Sequence, residues 1–256
     1  METGSVTDIV YSFLPVCRKL PYLEGDHPDW LKQKLFYVSN KVRNEIIVQA
    51  FKELQKAAPD MQILIMTKSL AHLIILHQML PECAFIHGDI GKLTRYNKIK
   101  SLKDVNLSRY EQTVEKKAII KRGLEKGTIK YAISTGVLEK GVNLHHLTAL
   151  IRADGATSGI PSFQIPGRLA RLDKGKELAY LIDIEDDFCE EAEKRAKKRE
   201  KEYMKRGWKK KSFTDIISQL RTTNERKENE TQLQGQERKI CTTTQESQMQ
   251  EDMQVQ

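Results

Sequence analysis

Residues 41–67 read KVRNEIIVQAFKELQKAAPDMQILIMT, and this stretch decides the fold class. Apolar residues recur every three or four positions from Val42 to Leu54, which is the period of a helix buried on one face. Pro59 and Asp60 interrupt that period. QILIMT then follows as a short, nearly continuous apolar run typical of a buried strand. The stretch therefore predicts a helix that leads directly into a strand.

The same alternation of helices and strands continues to Asp187. Four more strand-like runs are CAFIHGD (83–89), IKYAIST (129–135), LTALIRAD (147–154) and ELAYLIDIED (177–186). Helical segments are predicted between them at 69–80, 109–126 and 161–172. Apolar strands separated by helices predict an α/β fold, a parallel sheet with helices on both faces.

In such a sheet the loops that carry ligand groups lie at the carboxyl ends of the strands. Here those loops begin at Thr67, His87, Thr135 and Asp154. We therefore expect polar groups from four strands along one edge of the sheet. The acids of DIEDD (183–187) we interpret as strand-end groups that cap the next helix.

The charge and the amino-acid composition indicate which kinds of binding partner to expect. The 256 residues carry a net charge of +8, with a pI near 9.2 and a mean hydropathy of −0.55. This favours an anionic partner, nucleic acid more than membrane, although a merely soluble basic protein has the same composition. The longest apolar stretch, 70–80, is too short to cross a bilayer, and no signal peptide is visible. We expect a cytoplasmic protein of a bacterial cell or a virus-infected host cell.

The residues that bind metals do not form a recognisable pattern. The four cysteines are scattered, without CxxC spacing, which argues against a zinc site and a disulfide framework. His145 and His146 are adjacent, and in a strand they would point to opposite faces. We predict no metal site.

Two short blocks carry the chemistry, STGVLEKGVNL (134–144) and QIPGRLAR (164–171). In the second, Arg168 and Arg171 stand three residues apart beside a glycine. Guanidinium forks match the geometry of phosphate oxygens and keep their charge, so the block indicates phosphate chemistry. The alternative is a basic helix end that forms surface salt bridges.

The order of these blocks resembles the second RecA-like domain of a superfamily two helicase. QILIMTKS corresponds to motif IV of that family, STGVLEKGVN to motif V and QIPGRLAR to motif VI. STGVLEKGVN is similar to the family's T-x-x-x-x-x-G-x-D loop, with Asn143 in place of the aspartate. RNEIIVQAFKEL, the HGD turn and the charged helices after the last strand most resemble phage-type DNA repair and recombination helicases. The resemblance covers about Tyr22 to Lys211.

The resemblance implies a cleft between two RecA-like domains that binds ATP with Mg²⁺. The second domain would supply Arg171 to the γ-phosphate and Arg168 to a supporting contact, an arrangement that contributes roughly 10³–10⁵-fold in rate. It also implies nucleotide contacts from Gln164, Gly167, Gly141 and Asn143.

Nucleic-acid contacts follow from the same resemblance. They would come from Thr67, Lys68, His87, Gly88, Thr135, Gly136 and Lys209. For each loop an ordinary turn is the alternative, and Lys68 is equally a plain lysine at a helix start. The segment from Lys194 to Lys211, with Tyr203 and Trp208 among its charges, either follows a DNA backbone and stacks a base or is a solvated, salt-bridged helix.

Parts of the helicase pattern are missing from the sequence. No G-x-x-x-x-G-K-[ST] loop and no Asp-Glu pair after a strand are present. We therefore expect the chain to be inactive as an ATPase by itself and to need a P-loop-containing first domain. Two other hypotheses stay open, a non-catalytic nucleic-acid-binding module derived from a helicase and a phosphate-loop interaction protein.

These patterns divide the chain into four parts. We expect residues 1–34 to be a lead-in segment and, from the resemblance, 35–187 to be a helicase C-terminal RecA-like domain. Residues 188–220 are a basic helical extension. Residues 221–256, rich in Gln, Glu, Thr and Asn, are a disordered polar tail.

Overall fold

The computed structural model describes residues 7–16, 33–88, 105–139, 142–155 and 178–226, together with Leu169, Lys176 and Asn229. The strands are β1 (Asp8–Pro15), β2 (Gln62–Met66), β3 (Ala84–Ile86), β4 (Tyr131–Ser134), β5 (Leu147–Arg152), β6 (Leu178–Glu185) and β7 (Lys209–Lys210). The helices are α1 (Lys41–Ala57), α2 (Leu70–Met79), α3 (Val114–Glu125), α4 (Glu190–Lys205) and α5 (213–226). A π-helical turn covers Gln33–Val38, and 3₁₀ turns cover Leu107–Tyr110 and Gly136–Glu139.

All seven strands form one sheet in the order β3-β4-β2-β5-β6-β1-β7, and every neighbouring pair is parallel. The predicted parallel sheet is confirmed, and the five predicted strands are β2 to β6. Two strands were not predicted. Strand β1 pairs with β6 along its whole length, from Asp8 beside Leu178 to Pro15 beside Glu185. Strand β7 then pairs with β1 on the outer edge.

Helices cover both faces of this sheet, as expected. Along β2, Ile63 and Ile65 join one core with residues of α1, α2 and α5. Leu64 and Met66 point the other way and join a second core with Leu124 of α3 and Tyr203 of α4. Strict alternation of side chains along a strand produces this division.

Capping residues mark the ends of several helices. The side chains of Asn40, Ser69 and Thr113 accept hydrogen bonds from backbone amides at the starts of α1, α2 and α3. Gly127 (φ 70°) follows α3, and Gly207 (φ 73°) follows α4. Helix α5 continues past residue 221, where we expected the tail to begin.

Some predictions lie outside the described residues. They include most of the helix at 161–172, in which only Leu169 is described, and it is helical. Residues 230–256 of the expected tail are also outside. Of the described helices, none combines the length and the apolar character that crossing a bilayer requires.

Candidate nucleotide and nucleic-acid site

The carboxyl ends of four neighbouring strands form a continuous row. The backbone amide of Thr135 donates to the Ile86 carbonyl (3.2 Å), and that of Thr67 donates to the Ser134 carbonyl (2.8 Å). The amide of Ala153 donates to the Met66 carbonyl (2.8 Å). These bonds extend the ladder one residue beyond the strands. The loops that begin at His87, Thr135, Thr67 and Asp154 therefore start side by side, as the parallel sheet predicted.

The loop after β2 presents one polar group to solvent. Thr67 is buried, and its hydroxyl lies 3.3 Å from the Ser134 carbonyl and 3.4 Å from that of Ser69. Lys68 is exposed, and Ser69 caps α2. In this conformation Lys68 is the side chain of the loop best placed to meet an external phosphate.

His87 is a buried, neutral histidine at the end of β3. Its Nε2 donates to the Tyr110 carbonyl (2.6 Å), and its amide donates to Gln112 Oε1 (3.4 Å). Burial lowers the pKa of this imidazole below its usual value, which outweighs the raising effect of the Tyr110 carbonyl. Its side chain thus ties β3 to the segment before α3.

Gly88 links the loops after β3 and β4. It is exposed, and its carbonyl accepts a hydrogen bond from Lys117 Nζ. A Cβ at this position would lie 3.3 Å from Cγ2 of Val137, in the turn after β4. The absence of a side chain lets the HGD turn approach the motif V segment.

The two ends of the motif V block (134–144) lie in different parts of the structure. Thr135 is half-buried and Gly136 is exposed, both at the carboxyl edge. Asn143 is exposed, and its amide donates to Glu125 Oε1 (3.0 Å), at the end of α3 that precedes β4. Gly141 lies outside the described residues.

The four motif VI residues, Gln164, Gly167, Arg168 and Arg171, also lie outside the described residues. The segment that carries them leaves the sheet after β5, through Asp154 and Gly155. Leu169, between the two arginines, is fully buried in the core that α3 and α4 cover. The segment therefore starts in the same row as the other loops.

Sequence analysis missed a buried ion pair at this start. Arg43 of α1 binds both carboxylate oxygens of Asp186 (2.6 and 3.2 Å), and it donates to the carbonyl of Ala153 (3.1 Å). Both side chains of the pair are at most 1% exposed. Arg43 therefore holds the carboxyl ends of β5 and β6 against the first turn of α1.

A second buried network, of ion pairs and hydrogen bonds, joins residues of β5, β6 and α4. Arg152 binds both carboxylate oxygens of Asp154 (3.1 and 3.0 Å) and donates to the hydroxyl of Tyr203 (2.8 Å). The Tyr203 hydroxyl donates to Asp183 (2.6 Å), whose two oxygens also bind Arg199 (2.8 and 3.1 Å). Burial by itself would raise the pKa of Asp183, but the guanidinium groups of Arg199 and Arg152 hold it below its usual value. The carboxylate is thus ionised, and the network ties α4 to β5 and β6.

These networks correct our interpretation of DIEDD. Asp183 and Asp186 bind arginines within the fold, and α4 begins after Cys189 without a side-chain cap. The available signal was a charged residue inside each apolar run, Arg152 in LTALIRAD and Asp183 in ELAYLIDIED. A charge in a buried strand requires a partner.

An aromatic cluster covers the start of the arginine-bearing segment. Gly155 has a φ of 59°, and a Cβ there would lie 2.0 Å from Cε1 of Tyr37. Phe188 stacks on Phe36 (ring centroids 4.6 Å apart) and meets Tyr37 edge-on (5.0 Å). The Arg43 guanidinium lies 4.9 Å from the Tyr37 ring centroid. Only glycine fits under this ring.

The C-terminal basic segment is partly engaged within the fold. Lys209 is exposed, with its Nζ 3.0 Å from Asp8 Oδ2. Trp208 is half-buried and stacks on the buried ring of Tyr203 (5.2 Å). The two stacked rings therefore hold the residue before β7 against α4.

Within the described residues, no three His, Cys, Asp or Glu side chains lie close enough together to hold a metal ion. His145 and His146 lie in a turn before β5, with ring centroids 4.1 Å apart. Our expectation that they point to opposite faces of a strand is wrong, because the strand begins only at Leu147.

No protein-family model and no curated protein matches the sequence. Among solved structures, the fold is similar to a variant of S. cerevisiae Dbp5 bound to RNA and ADP BeF3, with a TM-score of 0.50 at 12% identity. That match covers 84% of this chain, which spans only 45% of the Dbp5 chain. The C-terminal domain of the DEAD-box protein Dbp5 gives a TM-score of 0.50 at 11% identity, covering 85% of this chain and 98% of that domain.

T4 UvsW matches 81% of this chain and 42% of its own at 16% identity, with a TM-score of 0.44, too low to support the phage-type resemblance. At these identities the comparisons show the fold alone. The chain has the RecA-like fold of a helicase C-terminal domain.

Proposed function

We propose that this chain is the second motor domain of an ATP-dependent DNA helicase or translocase. One observation supports this most. The motif IV and motif V loops and the segment that carries QIPGRLAR all leave the same edge of a RecA-like sheet. Phosphate-binding residues on adjacent loops can then act on one cleft.

In this proposal Arg171 and Arg168 stabilise the negative charge that develops on the transferred phosphoryl group. ATP and its Mg²⁺ are held mainly by a P-loop domain, which the sequence does not contain. Gln164, Gly167 and Gly141 are the proposed nucleotide contacts, and Asn143, which is bonded to Glu125 away from the carboxyl edge, is not among them. Closure of the two domains moves the loops at Lys68, Gly88 and Thr135 along a DNA strand.

The decisive experiment measures DNA-stimulated ATP hydrolysis by this chain with and without its cognate P-loop domain. We expect hydrolysis only with both, and we expect Arg171→Ala to lower kcat by roughly 10³-fold or more because the charge stabilisation is lost. Arg122→Ala, which removes an exposed arginine from α3, is the matched control and should leave kcat unchanged.

Two results would contradict this proposal. Hydrolysis by the isolated chain would refute the division of labour between domains. A reconstituted pair that tolerates Arg171→Ala would refute the arginine finger. Nucleic-acid binding by this chain without any hydrolysis by the pair would favour a binding module without catalytic function.

A further inference from the structure

The outer face of α4 carries a stripe of five lysines, Lys194, Lys197, Lys198, Lys201 and Lys205. Successive positions are three, one, three and four residues apart, which keeps all five on one side of the helix. All five are exposed, while Ala192, Ala196, Arg199 and Tyr203 on the opposite side are buried. The lysine stripe is thus a continuous surface that the packing of α4 leaves open.

The acids of α4 lie mainly at the borders of this stripe. Glu191 binds Arg195, Glu202 binds Lys205 (3.0 Å), and Glu200 reaches across to Lys210 (2.5 Å). Glu190 pairs with Lys194 at the first turn (2.5 Å). Lys197, Lys198 and Lys201 form no salt bridge within the described residues. The centre of the stripe therefore keeps its positive charge.

This arrangement is unfavourable for the helix itself. Lys194 and Lys198, Lys197 and Lys201, and Lys201 and Lys205 are like charges four residues apart, which repel on a helix surface. An external polyanion relieves that repulsion. From Lys194 to Lys205 the stripe extends about 16 Å, or about five base-pair steps of a duplex.

We infer that the lysine stripe binds the phosphate backbone of duplex nucleic acid, as a contact separate from the loops at the carboxyl edge. The partner is a duplex because single-strand surfaces stack bases on exposed aromatic rings. The aromatic rings of this region, Tyr203 and Trp208, instead pack against the fold. Helix α4 begins beside the carboxyl end of β6, so one end of the stripe lies at the edge that carries the proposed motor loops. The inference rests on the proposed function for the nature of its partner.

The test compares two triple variants with equal loss of charge. The first is Lys197→Gln, Lys198→Gln and Lys201→Gln. The second, a control on the other face of the sheet, is Lys41→Gln, Lys52→Gln and Lys56→Gln on α1, where all three lysines are exposed. Circular dichroism and urea unfolding establish that both fold. Fluorescence anisotropy then measures the affinity for a labelled duplex and for a single strand at several salt concentrations.

We expect the stripe variant to bind the duplex roughly tenfold or more weakly, and the salt slope of its affinity to fall by about 2 to 3. The control should keep the wild-type slope, and single-strand binding should change less than duplex binding. Equal slopes for the two variants, no duplex binding by the wild type, or a larger loss on single strands would overturn the inference. So would a stripe variant that keeps its duplex affinity but loses binding to phosphatidylserine vesicles in a co-sedimentation assay.

The outcomes separate this inference from the proposed function. If the stripe variant binds duplex normally while Arg171→Ala still abolishes hydrolysis by the reconstituted pair, the stripe assignment fails and the motor assignment stands. If no P-loop domain restores hydrolysis but the stripe variant still loses duplex affinity, the motor assignment fails and the stripe stands.

Discussion

At the scale of single residues, the main feature of the structure is a set of buried, paired arginines. Arg43, Arg152 and Arg199 are the three largest fully buried side chains of the described residues. Each binds a carboxylate with two of its nitrogens, which offsets the cost of removing the charges from water. Their common location at the carboxyl ends of β5 and β6 fixes the start of the segment that carries Arg168 and Arg171.

The Arg43 pair makes a direct prediction for stability. Arg43→Ala should lower the free energy of unfolding by about 3–5 kcal/mol, because Asp186 is left as an unpaired buried charge. Urea denaturation measures the change. The double variant Arg43→Met with Asp186→Leu removes both charges and should recover most of the loss. If Arg43→Ala costs no more than the double variant, the unpaired charge of Asp186 is not the cause of the loss.

At the scale of elements, five strands could be predicted from the sequence and two could not. Strand β1, although it is apolar itself, and strand β7 depend on distant partners. Each of the strands β2 to β6 lies in a short apolar run that is visible in the sequence. Strand β7 consists of two exposed lysines, which join the sheet by pairing with β1. The Arg43 pair joins residues 143 positions apart, and no local pattern reports such a contact. The close packing at Gly155, where the arginine-bearing segment starts, could not be predicted for the same reason.

Gly155 provides a test of that packing. Gly155→Ala should cost about 1–2 kcal/mol for the left-handed backbone, with about 1–3 kcal/mol more for the contact with Tyr37. Gly207→Ala is the matched control, since Gly207 has a similar φ and no atom within 4 Å of an added Cβ. It should show the backbone cost alone. Equal losses of unfolding free energy in the two variants would mean that Tyr37 does not confine this loop.

At the scale of the whole molecule, buried neutral histidines couple stability to pH. Burial lowers the pKa of His72, His77 and His87, most strongly for His72, where the Arg43 charge adds to the effect. His72 donates through Nε2 to Asn44 Oδ1 (2.8 Å), which joins α2 to α1. Because the unfolded chain binds these protons more readily, acid favours unfolding.

Stability should therefore be full above the unfolded-state pKa near 6.5 and should fall as the pH drops below it. The slope should approach about 1.4 kcal/mol per pH unit for each buried histidine. Urea midpoints between pH 7.5 and 5 measure it. His72→Gln keeps a donor for Asn44 and should flatten the slope. An unchanged slope would mean that His72 titrates normally in the folded state.

The position of β1 determines when this sheet can be completed during synthesis. Ile9 must pair with Ala179, and β7, the next neighbour of β1, is made later still. A nascent chain on the ribosome therefore carries an apolar N-terminal strand without its partner until nearly all of the described sequence has been translated. During that time the strand is open to pairing with other chains, and a chaperone that shields the first residues would raise the yield of folded protein.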